Sequence, residues 1–570
     1  MTATELYAYW QSQDLDDPDL EKELISIREN QQEIYERFYM GLEFGTGGLR
    51  GTIGAGTNRM NIYVIRQTTQ ALCNYIKDGA SKPKVAVAYD SRIKSDLFAK
   101  TTASVFAANG IKVYIYEALM PTPMLSYAVR ALHCDAGVIV TASHNPAQYN
   151  GFKVYDGAGC QIGPETADQV QAYIQQTDPF VDVKTVDFEA ALADGAVEYI
   201  SHELIESYYK AVLSQQVNPG VTKQAGLKLV YTPLNGAGNV PVREILGRVG
   251  VGHIAVVPEQ EMPDGNFTTC PYPNPEIREA LDLGLKLCQE KNADMLLATD
   301  PDCDRVGIAV KGEDGYELIS GNEVGAMLME YICSCRVANG TMPQNPVAVK
   351  SIVSTQLAAF IAKDYGVELR DVLTGFKFIG EQMELLAGAG EVDRFILGFE
   401  ESYGYLVGDY VRDKDAVVAS MLICEMASYY KQQGKSLIWL RDELYAKYGY
   451  FLHNVDSFAF EGSTGMEKMK EMMSSLRETP IHAIDGVKVS GYKDYLTSEA
   501  TDAQGQKTVL QLPKSNVLAY ELETGDSFII RPSGTEPKIK LYFTNIASDR
   551  AGALAGYSRI SKAVAELLKL

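Results

Sequence analysis

Two stretches decide the fold: Lys84-Val-Ala-Val-Ala-Tyr-Asp90, and Ala136-Gly-Val-Ile-Val140 followed at once by Thr141-Ala-Ser-His-Asn-Pro146. Each is an apolar run of strand length that ends abruptly in polar residues, the mark of a strand buried on both faces. Between them lie a helical stretch at Ser95 to Asn109, a strand at Ile111 to Glu117 and a helix at Pro123 to Leu132. The order is βαβαβ, which implies parallel strands joined by right-handed crossovers.

The same order recurs from Leu227 to Ala298 and again from Val347 to Gly398. Ligands of such sheets bind beyond the carboxyl ends of the strands, so the loop after the last strand of each unit is where chemistry is expected. Those loops read Thr141 to Pro146, Asp300-Pro-Asp-Cys-Asp-Arg305 and Phe399-Glu-Glu-Ser-Tyr-Gly404. From about Phe451 the pattern changes to strands, a Met- and Lys-rich helix, hairpin-like segments around Glu523 to Asp526 and a closing helix at Ala551 to Leu570. The expected fold is α/β: three related βαβαβ units with mixed, mainly parallel sheets, and a smaller α+β domain at the C-terminus, arranged around a central cleft. The boundaries expected are 1–210, 211–320, 321–450 and 451–570, in keeping with about four domains for 570 residues.

Composition narrows the class. With 46% hydrophobic and 22% charged residues the chain is ordinary globular protein, and no apolar run reaches the roughly 18 residues of a membrane span. Met1 to Asp19 lacks the basic and apolar regions of a secretory signal, so a cytoplasmic protein is expected. Fifty-two Lys plus Arg against 74 Asp plus Glu leave a net charge of -22, a field that repels nucleic acid and anionic membrane. An anionic substrate must then be held by a local basic pocket. Nine Cys, an odd number scattered along the chain, read as reduced thiols, and the pair Cys333 and Cys335 has no second Cys or His pair at zinc spacing.

Asp300, Asp302 and Asp304 stand at alternate positions of one loop, where three carboxylates converge on a hard cation such as magnesium. The competing readings are a solvated acidic turn and the start of a calcium-type loop, and the second lacks its Gly at the sixth position and its later Glu. Arg305 beside them can orient the carboxylates or hold a phosphate. Ser143 is presented at a strand end with His144, a potential base, and with Lys153 in Asn150-Gly-Phe-Lys153. The Gly-x-Ser-x-Gly elbow of acyl-transfer hydrolases is absent. Arg531-Pro-Ser533-Gly534-Thr535-Glu-Pro-Lys538 combines hydroxyls, a glycine and cations, as a phosphate dianion requires. Glu400 and Ser402 offer an acceptor and a hydroxyl to vicinal sugar hydroxyls. Asn235-Gly-Ala-Gly-Asn239 reads as a plain strand-to-helix turn.

Taken together and in this order, these four loops resemble those of the α-D-phosphohexomutase superfamily: a phosphoserine loop, a magnesium loop, a sugar loop and a phosphate loop. Glu43-Phe-Gly-Thr-Gly-Gly-Leu-Arg50, Thr374-Gly-Phe-Lys-Phe-Ile-Gly380 and Arg412-Asp-Lys-Asp415 make the chain most similar to the long bacterial phosphoglucomutases related to animal phosphopentomutase. The resemblance implies that phosphorylated Ser143 donates to a sugar monophosphate, giving a bisphosphate that turns over in the cleft. It implies a catalytic set of Ser143, His144, Lys153, Arg305 and Lys414, with the base open among Lys153, His144 and Lys414. It implies a metal set of Ser143, Asp300, Asp302 and Asp304, and a substrate set of Arg50, Thr374, Glu400, Ser402, Arg531, Ser533, Gly534 and Thr535. Cofactors implied are magnesium and a sugar 1,6-bisphosphate activator; partners are small sugar phosphates, and the enzyme acts as a monomer or weak dimer. Phosphoglucomutase is the first expectation, with phosphomannomutase or phosphopentomutase as alternatives and a metal-dependent phosphatase as the rival reaction class. One departure is Phe399, where many members carry Gly before the sugar-loop Glu, and it bears on sugar preference.

Overall fold

A computed structural model describes residues 1–45, 47–460, 465–533 and 538–570. Its first sheet runs, edge to edge, Leu49–Thr52, Tyr149–Asp156, Ala136–Val140, Lys84–Tyr89, Lys112–Ile115 and Val197–Tyr199. The four strands from Ala136–Val140 to Val197–Tyr199 are parallel, and the two at the other edge are antiparallel. The second sheet repeats this plan with Tyr316–Ile319, Val306–Lys311, Met295–Thr299, Lys228–Thr232 and His253–Val256. The third is shorter: Glu368–Val372, Val347–Ser351, Phe395–Phe399 and Tyr405–Leu406.

The central strands are parallel because their residues are apolar throughout and helices cover both faces: Ala136–Val140, Met295–Thr299 and Phe395–Phe399 are buried at every position. After each of these three strands the chain doubles back as an antiparallel strand, so each motif loop is the bend of a hairpin at the sheet's rim. The three units share one continuous core, with Ile139, Leu297, Leu397 and the apolar residues of the helix Ala416–Gln432, buried from Ala416 to Ser428, in a single cluster. The units are therefore packed against one another rather than strung on linkers.

The C-terminal sheet is antiparallel throughout, ordered Tyr450–Ala459, Lys538–Ala547, Ser527–Pro532, Leu518–Leu522, Val487–Asp494, Glu499–Asp502 and Lys507–Val509. Phe528, Ile530, Leu541 and Phe543 alternate onto its inner face, packing with the helices Gly465–Glu478 and Arg550–Leu568. Glu523 to Asp526 forms the tight hairpin between two of its strands. Among the described residues no helix is long and apolar enough to cross a membrane.

Three helices at the N-terminus, Ala3–Gln11, Pro18–Ser26 and Gln31–Phe38, start at side-chain caps on Thr2, Asp17 and Asn30. Buried Trp10 and Phe38 seat them on the first sheet's unit. Glu23 accepts the Ala55 N–H at 2.7 Å and Arg37 at 2.6 Å, bracing the segment that follows the Arg50 strand.

Phe399 is fully buried, and its ring packs on Gly325 of the helix Gly321–Asn339. A Cβ at Gly325 would lie 2.4 Å from that ring, so the glycine makes room for Phe399. The departure expected to bear on sugar preference is a core contact.

Candidate active site

The Ser143 loop begins where Ala136–Val140 ends. The Thr141 hydroxyl donates to Asp90 at 2.6 Å and accepts the Ser143 N–H at 2.8 Å. Ser143 takes φ +53°, a left-handed conformation that a residue with a Cβ adopts only when its surroundings impose it. Gly151 is required opposite: a Cβ there would stand 2.4 Å from the Thr141 carbonyl oxygen. Ser143 Oγ lies 3.1 Å from His144 Nδ1 and donates to Asp300 Oδ2 at 3.0 Å. Burial, reinforced by Arg305 and Arg50, holds His144 well below its usual pKa, so the imidazole is neutral.

Asp300, Asp302 and Asp304 are buried, and an oxygen from each lies within 4.8 Å of the others. The loop is wound around Asp300, whose Oδ1 accepts the N–H groups of Asp304 at 3.1 Å and Arg305 at 3.0 Å. Burial pushes the Asp300 carboxyl well above the ordinary carboxylate range, and repulsion from Asp302 and Asp304 adds to it. Asp302 Oδ2 accepts from the Thr122 hydroxyl at 3.0 Å and from Lys153 Nζ at 2.7 Å. Burial would raise Asp302 as well, but the Lys153 ammonium outweighs it and holds this carboxyl below its usual range.

Lys414 Nζ reaches Asp304 Oδ2 at 2.8 Å from the loop before the helix Ala416–Gln432. Burial opposes the charge of Lys153 and Lys414, and the facing aspartates outweigh it, so both stay protonated. Even so, Asp302 Oδ1 and Asp304 Oδ1 are buried without any hydrogen-bond partner. Oxygen atoms so placed are costly unless something binds them, and three converging carboxylates are what a hard divalent cation takes. The donor set fits a metal ion.

Arg305 donates to Glu276 at 2.8 Å, with its Nε 3.9 Å from Asp304. Arg50 is exposed and donates to Asn145 Oδ1 in the Ser143 loop at 3.2 Å. Glu400 is buried, with Oε1 accepting the Gly375 N–H at 2.7 Å directly after Thr374. Burial and neighbouring Glu401 raise its pKa to about 7, against the pull of Lys414. Ser402 sits in the bend between Phe395–Phe399 and Tyr405–Leu406. The structure thus brings together Ser143, His144, Lys153, the three aspartates, Arg305 and Lys414, with Arg50 at the same loop and Glu400 within electrostatic reach.

In the C-terminal unit Arg531 Nη1 donates to Tyr542 Oη at 3.3 Å, and the Ser533 N–H donates to the Lys538 carbonyl at 2.7 Å. Burial lowers the pKa of Lys540 on the same sheet, Arg531 and Lys538 push it the same way, and Glu276 and Glu401 oppose them. This basic edge therefore faces the second and third units. Gly534 and Thr535 lie outside the described residues.

Three family models match in chain order: phosphoglucomutase/phosphomannomutase alpha/beta/alpha domain I over residues 41–180, domain II over 206–315 and domain III over 320–448. The chain belongs to the phosphoglucomutase/phosphomannomutase family. A phosphoglucomutase of Staphylococcus saprophyticus is 37% identical over 506 residues, covering 88% of this chain and 90% of that relative. One from Staphylococcus aureus is 36% identical over 523 residues, covering 90% and 92%. In fold the chain is similar to pp63/parafusin (phosphoglucomutase) of Paramecium in its open form, with TM-score 0.68 and 19% identity over 93% of this chain and 95% of that one.

Sequence reasoning missed several residues of this family member's site. Thr122 and Glu276 hold Asp302 and Arg305, and Glu401 accepts from the Ser351 hydroxyl at 2.9 Å beside Glu400. Arg92 behind the Ser143 loop was missed too. Thr122, Glu276 and Arg92 lie far along the chain from the motifs they serve, whereas Glu401 stands in the sugar loop itself; the position of Asp90 and Arg92 at the end of a buried strand and the place of Glu401 beside Glu400 are the signals that could have singled them out.

Proposed function

We propose that this protein is a phosphoglucomutase, interconverting glucose 1-phosphate and glucose 6-phosphate through phosphorylated Ser143 and a bound glucose 1,6-bisphosphate. The observation that carries this reading is the 3.0 Å contact between Ser143 Oγ and Asp300, inside a cluster in which Asp302 Oδ1 and Asp304 Oδ1 lack partners. Ser143, Asp300, Asp302 and Asp304 would hold magnesium, which when bound supplies positive charge to the phosphoryl group being transferred.

Phosphoryl transfer is mainly a problem of position and charge. The P–Oγ bond of phosphoserine breaks as a sugar hydroxyl oxygen forms its bond to phosphorus, and the hydroxyl proton passes to a base. His144, neutral and next to Oγ, has a lone pair available; Lys153 and Lys414 carry protons and place positive charge on the same side. In the second half the bisphosphate presents its other phosphate, Oγ takes it back, and the departing sugar oxygen regains a proton. Glu400, with Thr374 and Ser402 nearby, would accept sugar hydroxyls, and Arg50 and the Arg531 loop would hold the phosphate that is not reacting. The activator is a sugar 1,6-bisphosphate that charges Ser143. Nine unpaired, buried cysteines support a cytoplasmic setting.

The test is turnover of purified protein with glucose 1-phosphate, mannose 1-phosphate and ribose 1-phosphate, each with magnesium and bisphosphate primer. The expected result is the highest kcat/KM on glucose 1-phosphate. Preference for another sugar would replace the substrate, and release of inorganic phosphate without isomer would replace the reaction.

A further inference from the structure

The Ser143 loop is held from behind by a side chain that the chemistry above does not use. Arg92 follows the strand Lys84–Tyr89, and its side chain is 0% exposed. Its Nη1 donates to the carbonyls of Pro146 and Tyr149, both at 3.0 Å, and its Nη2 to those of Ser143 and Asn145. Four carbonyls of one turn thus converge on a single planar cation. Asp90 closes the rear with an ion pair to Arg92 Nε at 3.3 Å, and it also accepts the Ser95 hydroxyl at 2.8 Å. The same carboxylate takes the Thr141 hydroxyl whose oxygen receives the Ser143 N–H.

The open side of the guanidinium is covered by the second unit. The Phe267 ring lies 5.0 Å from the guanidinium carbon, and the chain there approaches so closely that a Cβ on Gly265 would stand 2.6 Å from the Ile93 nitrogen. Guanidinium is always charged, has five donors in a rigid plane and accepts nothing, so carbonyls that satisfy it are fixed in direction relative to one another. Fixing them holds the backbone from Ser143 onward, and the Thr141 hydroxyl on the Ser143 N–H holds the side before it, so that together they set its φ of +53°. That backbone decides where Oγ points. Arg92 touches none of the reacting atoms.

We propose that Arg92 is a positioning residue for Ser143: it locks the loop that aims Oγ at phosphorus, and Phe267 couples that lock to the unit carrying Asp300. The proposal rests on the phosphoserine reading above. When Ser143 is charged, its Oγ forms a bond to a phosphorus of glucose 1,6-bisphosphate, the sugar O–P bond breaks, and the sugar oxygen gains the proton that Oγ gives up. A loosened loop leaves sugar binding alone and slows this step.

The experiment uses full-length, dephosphorylated enzyme with magnesium and glucose 1,6-bisphosphate, following phosphate uptake on Ser143 by intact mass. Arg92→Lys keeps the charge and loses the planar fork. It is expected to slow uptake and kcat together by about 100-fold, as misplacement of about 1 Å does, with the Michaelis constant for glucose 1-phosphate within about twofold of wild type. Thr141→Val, which preserves shape and cuts the tie between Asp90 and the Ser143 N–H, is expected to slow uptake about tenfold and decides the matter if Arg92→Lys does not fold. Wild-type uptake rates in a folded variant overturn the proposal, as does a loss that appears in the Michaelis constant and melting temperature instead of in kcat. If wild-type enzyme takes up no phosphate, the phosphoserine reading itself fails and this one falls with it.

Discussion

Ser143 Oγ and Asp300 Oδ2 are 3.0 Å apart although they stand 157 positions apart in the chain. The hydroxyl comes from the rim of the first sheet and the carboxylate from the rim of the second, so their contact exists only when the two units are docked. Ser143→Ala is expected to lower turnover by at least about 10⁴-fold, and its intact mass should show no phosphate after exposure to glucose 1,6-bisphosphate. Substantial activity in that variant would remove the phosphoserine from the mechanism.

Asp302→Asn keeps the shape of the side chain and deletes one of three converging negative charges. The magnesium concentration giving half-maximal activity should rise at least about tenfold, and direct calorimetric titration with magnesium should weaken in parallel. Lys153 retains Asp304 at 3.4 Å, so the variant should melt cooperatively. Wild-type rates in excess chelator would show that the cluster holds no catalytic metal.

Glu400 gives a dependence on pH. Its pKa in the fold, about 7, lies above the 4.5 of the free side chain, so folding takes up a proton between those values. The stability this group contributes is fully present below pH 4.5 and is lost as pH rises through 7. Glu400→Gln cannot lose that proton, and its melting temperature relative to wild type should climb between pH 5 and pH 8. A constant difference across the range would mean that Glu400 is ionised throughout.

Arg531→Ala removes a cation from the edge that faces the second and third units. We expect a higher Michaelis constant, lower turnover and more phosphoserine lost to water per cycle, because energy from binding the remote phosphate would no longer help exclude water. Initial rates alongside inorganic phosphate release measure all three. Unchanged kinetics and hydrolysis would reduce the loop to a turn.

Gly325→Ala forces a methyl group against the Phe399 ring, a contact of 2.4 Å that the packed core must relieve. The expected cost is about 1–3 kcal/mol, read from urea unfolding, with sugar preference unchanged. A change in the ratio of glucose to mannose turnover would show that Phe399 acts on the cleft after all.

The parallel strands were legible because Lys84–Tyr89, Ala136–Val140 and Met295–Thr299 are short apolar runs with polar ends, and the motif loops follow them directly. The N-terminal helices were not: Pro18–Ser26 buries only Leu20 and Leu24 among charged neighbours, too sparse a pattern to separate from an acidic tail. The antiparallel return strands escaped because Tyr149–Asp156 begins inside the loop motif itself and mixes Asn, Gly and Lys with its apolar residues. Arg92 was invisible for another reason. In sequence, Asp90-Ser-Arg92 reads as a solvated turn, and nothing local tells that four carbonyls from residues 143–149 will surround it.

The separation between Ser143 and Asp300 also orders events during synthesis. At roughly 5–20 residues per second, the serine leaves the ribosome on the order of 10–30 s before the carboxylate it will touch. Strands up to Val197–Tyr199 complete the first sheet within that interval, so Arg92 and Thr141 can shape the loop while no aspartate cluster yet exists. A nascent chain thus displays a finished nucleophile that is chemically idle, and it becomes competent to take up phosphate only when the second unit has been made and has closed over Arg92.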